Sequence, residues 1–226
     1  MIKLSKIVLY HGSDKIVSKP QYGYGKLFND YGQGFYCTKH LNLAKEWAVE
    51  AERDGFVNVY EIDDKGLKIL NLNDEKYSIL HWITLLIEHR TFSINSPLAR
   101  DGIGFLQRNY HIDIDEYDAI IGYRADDSYF SFARAFLANS ISLAQLQNAM
   151  YLGELGWQFF IKSKKAFSKL KFVEAIPVDC REYYPLKNAR DAKVREAYVA
   201  ISQDMDKEGT YLLDLIRKEQ ADGSSL

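Results

Sequence analysis

The chain has few cysteines and little net charge, and both features narrow the functional classes open to it. Two cysteines, Cys37 and Cys180, are too few for a disulfide framework or a four-ligand zinc site. We therefore expect a reduced, intracellular setting. The 29 basic and 31 acidic residues nearly cancel, so the composition does not require a nucleic-acid-binding face.

Long apolar runs and internal repeats are also missing. The N-terminal run at 7–10 is too short for a signal-peptide core, and no uncharged stretch approaches membrane-spanning length. We therefore expect a cytoplasmic protein without membrane contact. Because 47% of the 226 residues are apolar, the chain can bury a full core. Its length suits one domain, or one domain with an extension.

The pattern of apolar and polar residues predicts strands and helices that do not alternate one for one. An α+β fold is therefore expected rather than a parallel doubly wound sheet. The loop at 17–33 is long enough to indicate a functional role. Strands are predicted at 7–10, 35–38, 56–62, 67–72 (paired with 56–62), 117–123, 157–161 and 172–178. Helices are predicted at 43–53 after an Asn42 cap, 74–91, from Pro97, 127–138, 142–152, after Ser163, and from 181 with a break at Gly209.

Two short segments near the start carry the candidate binding residues. The first ends a strand with His11, Gly12 and Ser13, and the second contains Tyr36, with Trp47 on the following helix. Glycine lets a ligand approach the backbone, whose polar groups can pair with a carboxamide together with a serine hydroxyl. Tyr36 and Trp47 can sandwich a flat cation, each contributing about 0.5–2 kcal/mol. The nicotinamide ring of oxidised NAD is such a cation, although each aromatic residue also fits a core position.

Together these segments resemble the ADP-ribosyltransferase superfamily, in the branch shared by diphtheria-type toxins and poly-ADP-ribose polymerases. The likeness rests on residues 10–13, residues 34–38, Ala44 and Trp47, and it is fainter over 117–162. The sequence looks closest to a bacterial family whose genes are found beside small partner genes that resemble antitoxins. The resemblance thus implies a toxin with a small neutralising protein as a partner.

The same resemblance implies a fold and a set of roles. The fold would be a split antiparallel β-sandwich with flanking helices, with an NAD-binding domain at 1–180 and a helical C-terminal appendage at 181–226. NAD would be the co-substrate. In this likeness His11 binds the adenine-side ribose, Gly12 grips the carboxamide, Tyr36 stacks on nicotinamide, Trp47 provides the second stacking ring, and Ser13 and Thr38 join the NAD contacts.

The third catalytic position of the superfamily is a glutamate, and its best match here is Gln158, so the triad would read His11, Tyr36 and Gln158. A carboxylate about 4 Å from the cationic ribose contributes up to roughly 4 kcal/mol at an effective dielectric near 20. That corresponds to about a thousandfold in rate, whereas glutamine supplies only a dipole. Replacing Gln158 by Glu is therefore expected to raise NAD hydrolysis. Other acids available to the site are Asp126, Asp127 and Glu154.

Two functional hypotheses from different classes follow. The first is an NAD-dependent ADP-ribosyltransferase acting on a protein or nucleic acid, with an NAD glycohydrolase as its near neighbour. The second is a non-catalytic module that binds NAD or ADP-ribose within a complex. No metal site is expected, because the histidines and acids lack ligand spacing. The acceptor is expected to be chosen by the regions 17–33 and 124–131.

Overall fold

The computed structural model describes residues 6–91, 96–124, 127–152 and 156–223. The described residues form one seven-stranded, mostly antiparallel sheet with eight helices, a mixed α/β architecture compatible with the expected α+β class. The strands are β1 Lys6–Ser13, β2 Phe35–Thr38, β3 Gly55–Asp63, β4 Ile69–Asn71, β5 Ala119–Tyr123, β6 Trp157–Ile161 and β7 Leu170–Val178. The helices are α1 Leu41–Ala48, α2 Ile79–His89, α3 Pro97–Tyr110, α4 Asp127–Leu137, α5 Leu143–Met150, α6 Lys164–Ser168, α7 Cys180–Gln203 and α8 Leu212–Gly223.

The strands lie in the order β4-β5-β6-β2-β1-β3-β7. β4 and β5 pair in parallel, and the other neighbours are antiparallel. The predicted pairing of 56–62 with 67–72 is wrong, because both sides of β3 are already occupied by β1 and β7. The chain instead crosses to the far edge of the sheet, where β4 joins β5.

The sheet is weakly joined at its centre, between β1 and β2. The two strands share a single register pair, Tyr10 with Thr38, whereas β1 and β3 pair over eight positions from Lys6 to Ser13. The described strands therefore form one hydrogen-bonded sheet whose two halves meet at one residue pair. Because β1 and β2 pair at one position only, there is room between them beyond the Tyr10–Thr38 pair. We call this pair the joint between the half with β2 and the half with β1.

Serine caps set the start of several helices. The hydroxyls of Ser96 and Ser142 accept hydrogen bonds from backbone N–H groups three residues on, and Pro97 occupies the first position of α3. Ser78 and His81 form a capping box at the start of α2. The predicted helix at 74–91 therefore begins only at Ile79.

Helix α1 is shorter than expected and begins earlier. It runs from Leu41 to Ala48 after His40, rather than from an Asn42 cap to residue 53. The end is set by the start of β3: a Cβ at Gly55 would lie 1.9 Å from the Ala48 carbonyl oxygen. With β3 packed directly on its last turn, the helix cannot continue, and the chain leaves it in an extended conformation at Val49.

Three buried clusters hold these layers together. The largest surrounds α2, where all eight residues from Ile79 to Ile87 apart from His81 are buried, including Trp82. A second cluster joins residues of β1, β2, β3, β5 and β6 with α6. A third cluster lies between α1, β3 and β7. The rigid α2 therefore positions Arg90, the residue that ends it.

The C-terminal segment is helical, in agreement with the expected pattern. Helix α7 begins at Cys180 after an Asp179 cap and packs against α1 and α5, while α8 packs against α3. The predicted break at Gly209 lies between the end of α7 and the start of α8. Within the described ranges, none of the helices combines the length and the apolar character needed to cross a bilayer.

Candidate functional site

A cavity of about 480 Å³ opens beside the joint between β1 and β2. Five of the residues predicted for the site line it: His11, Gly12, Tyr36, Trp47 and Gln158. They come from two strands near the start of the chain, the first helix and the late strand β6. The volume is in the range of small-molecule sites, which are usually about 300–1,000 Å³.

His11 is fixed in orientation by a backbone contact across the joint. Its Nδ1 lies 2.7 Å from the carbonyl oxygen of Tyr36, and its ring packs on Phe35 with centroids 4.3 Å apart. Burial lowers the pKa of His11, so the ring is neutral at pH 7. Because a carbonyl only accepts, Nδ1 carries the proton and Nε2 is left as an acceptor. A ribose hydroxyl is a donor that suits this nitrogen.

Tyr36 presents its ring to the cavity while its hydroxyl holds the preceding loop. The hydroxyl donates to the Gly32 carbonyl at 2.7 Å and accepts from the Tyr31 N–H at 3.1 Å. Burial raises the pKa of Tyr36, so the phenol stays protonated. The ring also packs on Phe160, with centroids 4.7 Å apart. Tyr36 can therefore act as a stacking platform rather than as an acid or base.

Gly12 has a packing role that the sequence did not reveal. A Cβ at this position would lie 2.1 Å from the Ala44 carbonyl oxygen and 2.7 Å from the Ala48 nitrogen. Glycine is therefore required for β1 to lie directly against α1. This close approach brings Trp47, on α1, to the same cavity as His11.

Trp47 lies under a cation supplied by the loop after β5. The guanidinium carbon of Arg124 sits 3.8 Å from the centroid of the indole ring, a cation–π contact. The indole Nε1 is buried, and none of the described residues accepts a hydrogen bond from it. The ring face thus accommodates a flat cation.

Ser13 and Thr38 are not brought to the cavity. Ser13 lies at the end of β1, where its hydroxyl contacts Asp14 and the N–H of Lys15. Thr38 is fully buried, and its Oγ1 accepts from the His40 N–H at 3.1 Å. Ser13 lies on the same strand face as His11, and Thr38 lies on the same strand face as Tyr36. Neither Ser13 nor Thr38 lines the cavity.

Gln158 is buried at the back of the cavity, where its amide is held by two acceptors. Nε2 donates to Oδ2 of Asp30 at 2.9 Å and to the Tyr123 carbonyl at 3.0 Å. Asp30 in turn accepts from Nη2 and Nε of Arg90 at 2.6 and 2.9 Å. Asp30 and Arg90 both line the cavity, and the sequence analysis identified neither.

The cavity wall carries an excess of positive charge. Five basic side chains line it against two acids: Arg90, Arg124, Lys187, Arg190 and Arg195 against Asp30 and Asp191. Three of these, Lys187, Asp191 and Arg195, are spaced four residues apart on α7, a spacing that places them on one helical face. That spacing could have been found in the sequence. Such a wall favours an anionic ligand.

The other acids considered for the third position cannot be placed at the site. Asp126 and Glu154 lie outside the described residues, and Asp127 is described only as the first residue of α4. Within the described residues, one group could in principle ligate a metal: Asp54, Asp179 and Cys180 at the start of α7. Its polar atoms already serve the backbone, since Asp54 accepts from the Cys180 N–H and Asp179 from the Arg181 N–H.

Comparison with known proteins identifies a family but no characterised relative. No curated protein and no solved structure matches the chain. Residues 7–172, which include both motif segments, β6 and the loop containing Asp30, match the family described as "Protein of unknown function (DUF3990)". Because this match covers well over half of the sequence, the chain belongs to the DUF3990 family.

Proposed function

We propose that the chain is an NAD-dependent ADP-ribosyltransferase. In the reaction, the bond between C1′ of the ribose and the nicotinamide nitrogen breaks, and its electron pair leaves with nicotinamide. A nucleophilic atom of a protein or nucleic acid forms the new bond to C1′ and releases its proton to solvent. The products are neutral nicotinamide and the ADP-ribosylated acceptor.

The observation that carries this proposal is the convergence of five separately predicted residues on one cavity. His11 and Gly12 reach it from β1, Tyr36 from β2, Trp47 from α1 and Gln158 from β6. The sequence or its resemblance to ADP-ribosyltransferases predicts each of them for an NAD site. Tyr36 and Trp47 pack against the main hydrophobic cluster but are only partly buried, and both line the cavity.

The charge and the donors of the wall support the same ligand. NAD carries a pyrophosphate, and the excess of basic side chains around the cavity suits it. Two buried donors in the wall, Nε1 of Trp47 and Nε of Arg190, have no acceptor among the described residues. A buried donor without a partner costs about 1–3 kcal/mol, so an acceptor-rich ligand would stabilise this wall.

The sheet is consistent with the finer fold that the resemblance implies. We propose that the seven strands are an ADP-ribosyltransferase-like split β-sandwich in which the single Tyr10–Thr38 pair marks the split. β4, β5, β6 and β2 would form one half, and β1, β3 and β7 the other. The cavity at this joint supports the assignment.

Each lining residue has a role in this scheme. Nε2 of His11 accepts from a ribose hydroxyl, and the rings of Tyr36 and Trp47 enclose the nicotinamide, with Arg124 moving from the indole face to the pyrophosphate. Gln158 holds the 2′-hydroxyl of the nicotinamide ribose. Fixed geometry, more than proton transfer, lowers the barrier, because Tyr36 stays protonated and His11 stays neutral.

The direct test is nicotinamide release from labelled NAD. The wild-type protein is expected to release nicotinamide, and His11→Ala and Tyr36→Ala are each expected to reduce the rate by about a hundredfold. Met205→Ala serves as a control, since Met205 is an exposed residue outside both the cavity and the loop at 17–33. Equal, background-level release by all four proteins would contradict the proposal.

A second candidate function is a non-catalytic NAD or ADP-ribose-binding module. The neutral Gln158 favours it, because this residue brings no carboxylate of its own to the ribose. Titration with NAD, followed by tryptophan fluorescence, separates the two functions: binding without nicotinamide release identifies the module. Nicotinamide release without transfer of labelled ADP-ribose to any macromolecule identifies an NAD glycohydrolase. Under the leading proposal the protein is a toxin, and its further partner is a small neutralising protein.

A further inference from the structure

We propose that Asp30 is a positioning residue of the site, which supplies, through Gln158, the carboxylate that the third catalytic position lacks. The inference rests on the proposed function, since it assigns a role in NAD cleavage. The loop between β1 and β2 places the Asp30 carboxylate 2.9 Å from the amide of a residue 128 positions away. Both side chains are buried, with 3% of each residue exposed.

The first consequence is a fixed orientation for Gln158. An amide nitrogen has two hydrogens, and here one is donated to Asp30 and the other to the Tyr123 carbonyl. The carbonyl oxygen Oε1 is therefore the atom of this side chain that is left to accept from a ligand. A neutral amide at position 30 would hold Gln158 less firmly than a carboxylate does, so the Gln158 amide could turn over and present donors to a ribose hydroxyl.

The second consequence concerns charge. Arg90 pairs with Asp30 and also lines the cavity, so the carboxylate offsets a guanidinium that would otherwise face the developing ribose cation. The Arg90–Asp30 pair leaves the part of the wall beside Gln158 near neutral. Removing the carboxylate alone would leave a positive charge beside a transition state that is itself positive.

The same contact explains why residue 158 is a glutamine. A glutamate there would place a second carboxylate against Asp30, and two carboxylates in one site cannot both ionise readily. The structure therefore reverses the sequence-based expectation for Gln158→Glu: the single substitution should lower activity rather than raise it. Asp30 with Gln158 contains the same groups as Asn with Glu, except that a glutamate at 158 cannot donate to the Tyr123 carbonyl as Gln158 does.

This equivalence gives a sharp test. The proteins compared are the wild type, Asp30→Asn, Gln158→Glu and the exchanged pair Asp30→Asn/Gln158→Glu, with kcat and KM measured by nicotinamide release. Each single variant should lose about a hundredfold in kcat, the typical effect of a misplaced group, with KM within about threefold. The exchanged pair should regain about tenfold over Gln158→Glu, because the contact between a donor and a carboxylate is restored while the lost donor to the Tyr123 carbonyl is not.

Asp118→Asn is the matched control. Asp118 is also a partly buried aspartate that accepts from a lysine and a backbone N–H, but it lies outside the cavity. Its substitution should change thermal stability without changing kcat. NAD affinity, measured by tryptophan fluorescence, should stay within about threefold across the set, which a purely structural role of Asp30 would not predict.

The outcomes separate this inference from the proposed function. A wild-type protein that binds NAD but releases no nicotinamide overturns the proposed function, and this inference with it. An active wild type with full kcat in Asp30→Asn overturns the inference alone. An exchanged pair no more active than Gln158→Glu also overturns it. Should Asp30→Asn fail to fold, Gln158→Glu and the exchanged pair give the same comparison.

Discussion

Nδ1 of His11 lies 2.7 Å from the carbonyl oxygen of Tyr36, and this contact crosses the joint at which the two halves of the sheet meet. It ties the first two candidate site residues to each other before any ligand arrives. Burial lowers the pKa of His11 and keeps the ring neutral, whereas the hydrogen bond to the Tyr36 carbonyl acts in the opposite direction and fixes which nitrogen carries the proton.

A pH dependence of stability follows from this burial. The pKa of His11 is lowered from 6.5 in the folded state, so below 6.5 the unfolded chain binds a proton that the folded chain does not. The contribution is favourable and complete above pH 6.5 and is lost as the pH falls through the folded-state pKa. Each unit of depression is worth about 1.4 kcal/mol.

The variant His11→Gln isolates this effect, because glutamine can still donate to the Tyr36 carbonyl but does not titrate. The free energy of unfolding in urea, measured from about pH 8 to about pH 5, should fall more steeply for the wild type than for His11→Gln. His81 and His89 also have lowered pKa values, but they are common to both proteins. Parallel curves would show that His11 does not titrate differently in the folded state.

Gly12 is expected to be a packing residue first. Alanine at this position would push its Cβ into the backbone of α1, so Gly12→Ala should destabilise the fold by about 1–3 kcal/mol or more. Gly104→Ala is the matched control. A Cβ at Gly104, inside α3, meets only a flexible arginine tip, so that change should stabilise the helix by up to about 1 kcal/mol. A Gly12→Ala protein as stable as the wild type would refute the close approach of β1 and α1.

The basic face of α7 is expected to contribute affinity for NAD rather than catalytic rate. Lys187→Ala and Arg195→Ala should each weaken NAD binding by roughly three- to tenfold, and the loss should shrink at high salt because exposed charges are screened. Arg181→Ala tests the same helix outside the cavity, since its guanidinium is exposed and pairs with Asp179. Isothermal titration at two salt concentrations measures both effects. Identical NAD affinities for Lys187→Ala, Arg195→Ala and the wild type would show that the pyrophosphate does not bind at this face.

The elements next to the site could largely be predicted from the sequence because their signals are local. β2 and β6 have the predicted bounds, and Ser96-Pro97 begins a helix as expected. Helix α1 could not be bounded in this way, since its end depends on Gly55 packing against Ala48 in three dimensions. The partner of β4 was likewise decided by which sheet edge was free.

In the candidate site too, some residues could be predicted from local sequence signals and others could not. His11, Tyr36 and Trp47 were found because they stand at strand ends and helix positions with a recognisable pattern. Asp30 was missed because it lies in a loop whose residues carry no periodic signal, and its partners Arg90 and Gln158 are set by the fold alone. Asp30 reaches Gln158 from a loop far away in the sequence, so no spacing of residues along the chain indicates this contact.

The most direct test of the central claim is where nicotinamide lies when NAD is bound. Isotope-filtered NOE spectra of the labelled protein with saturating NAD should show contacts from the nicotinamide ring protons to the side chains of Tyr36 and Trp47, and the Tyr36→Ala protein should lose the first set. Saturated binding with nicotinamide contacts to neither ring, or contacts only to residues outside this cavity, would contradict the account.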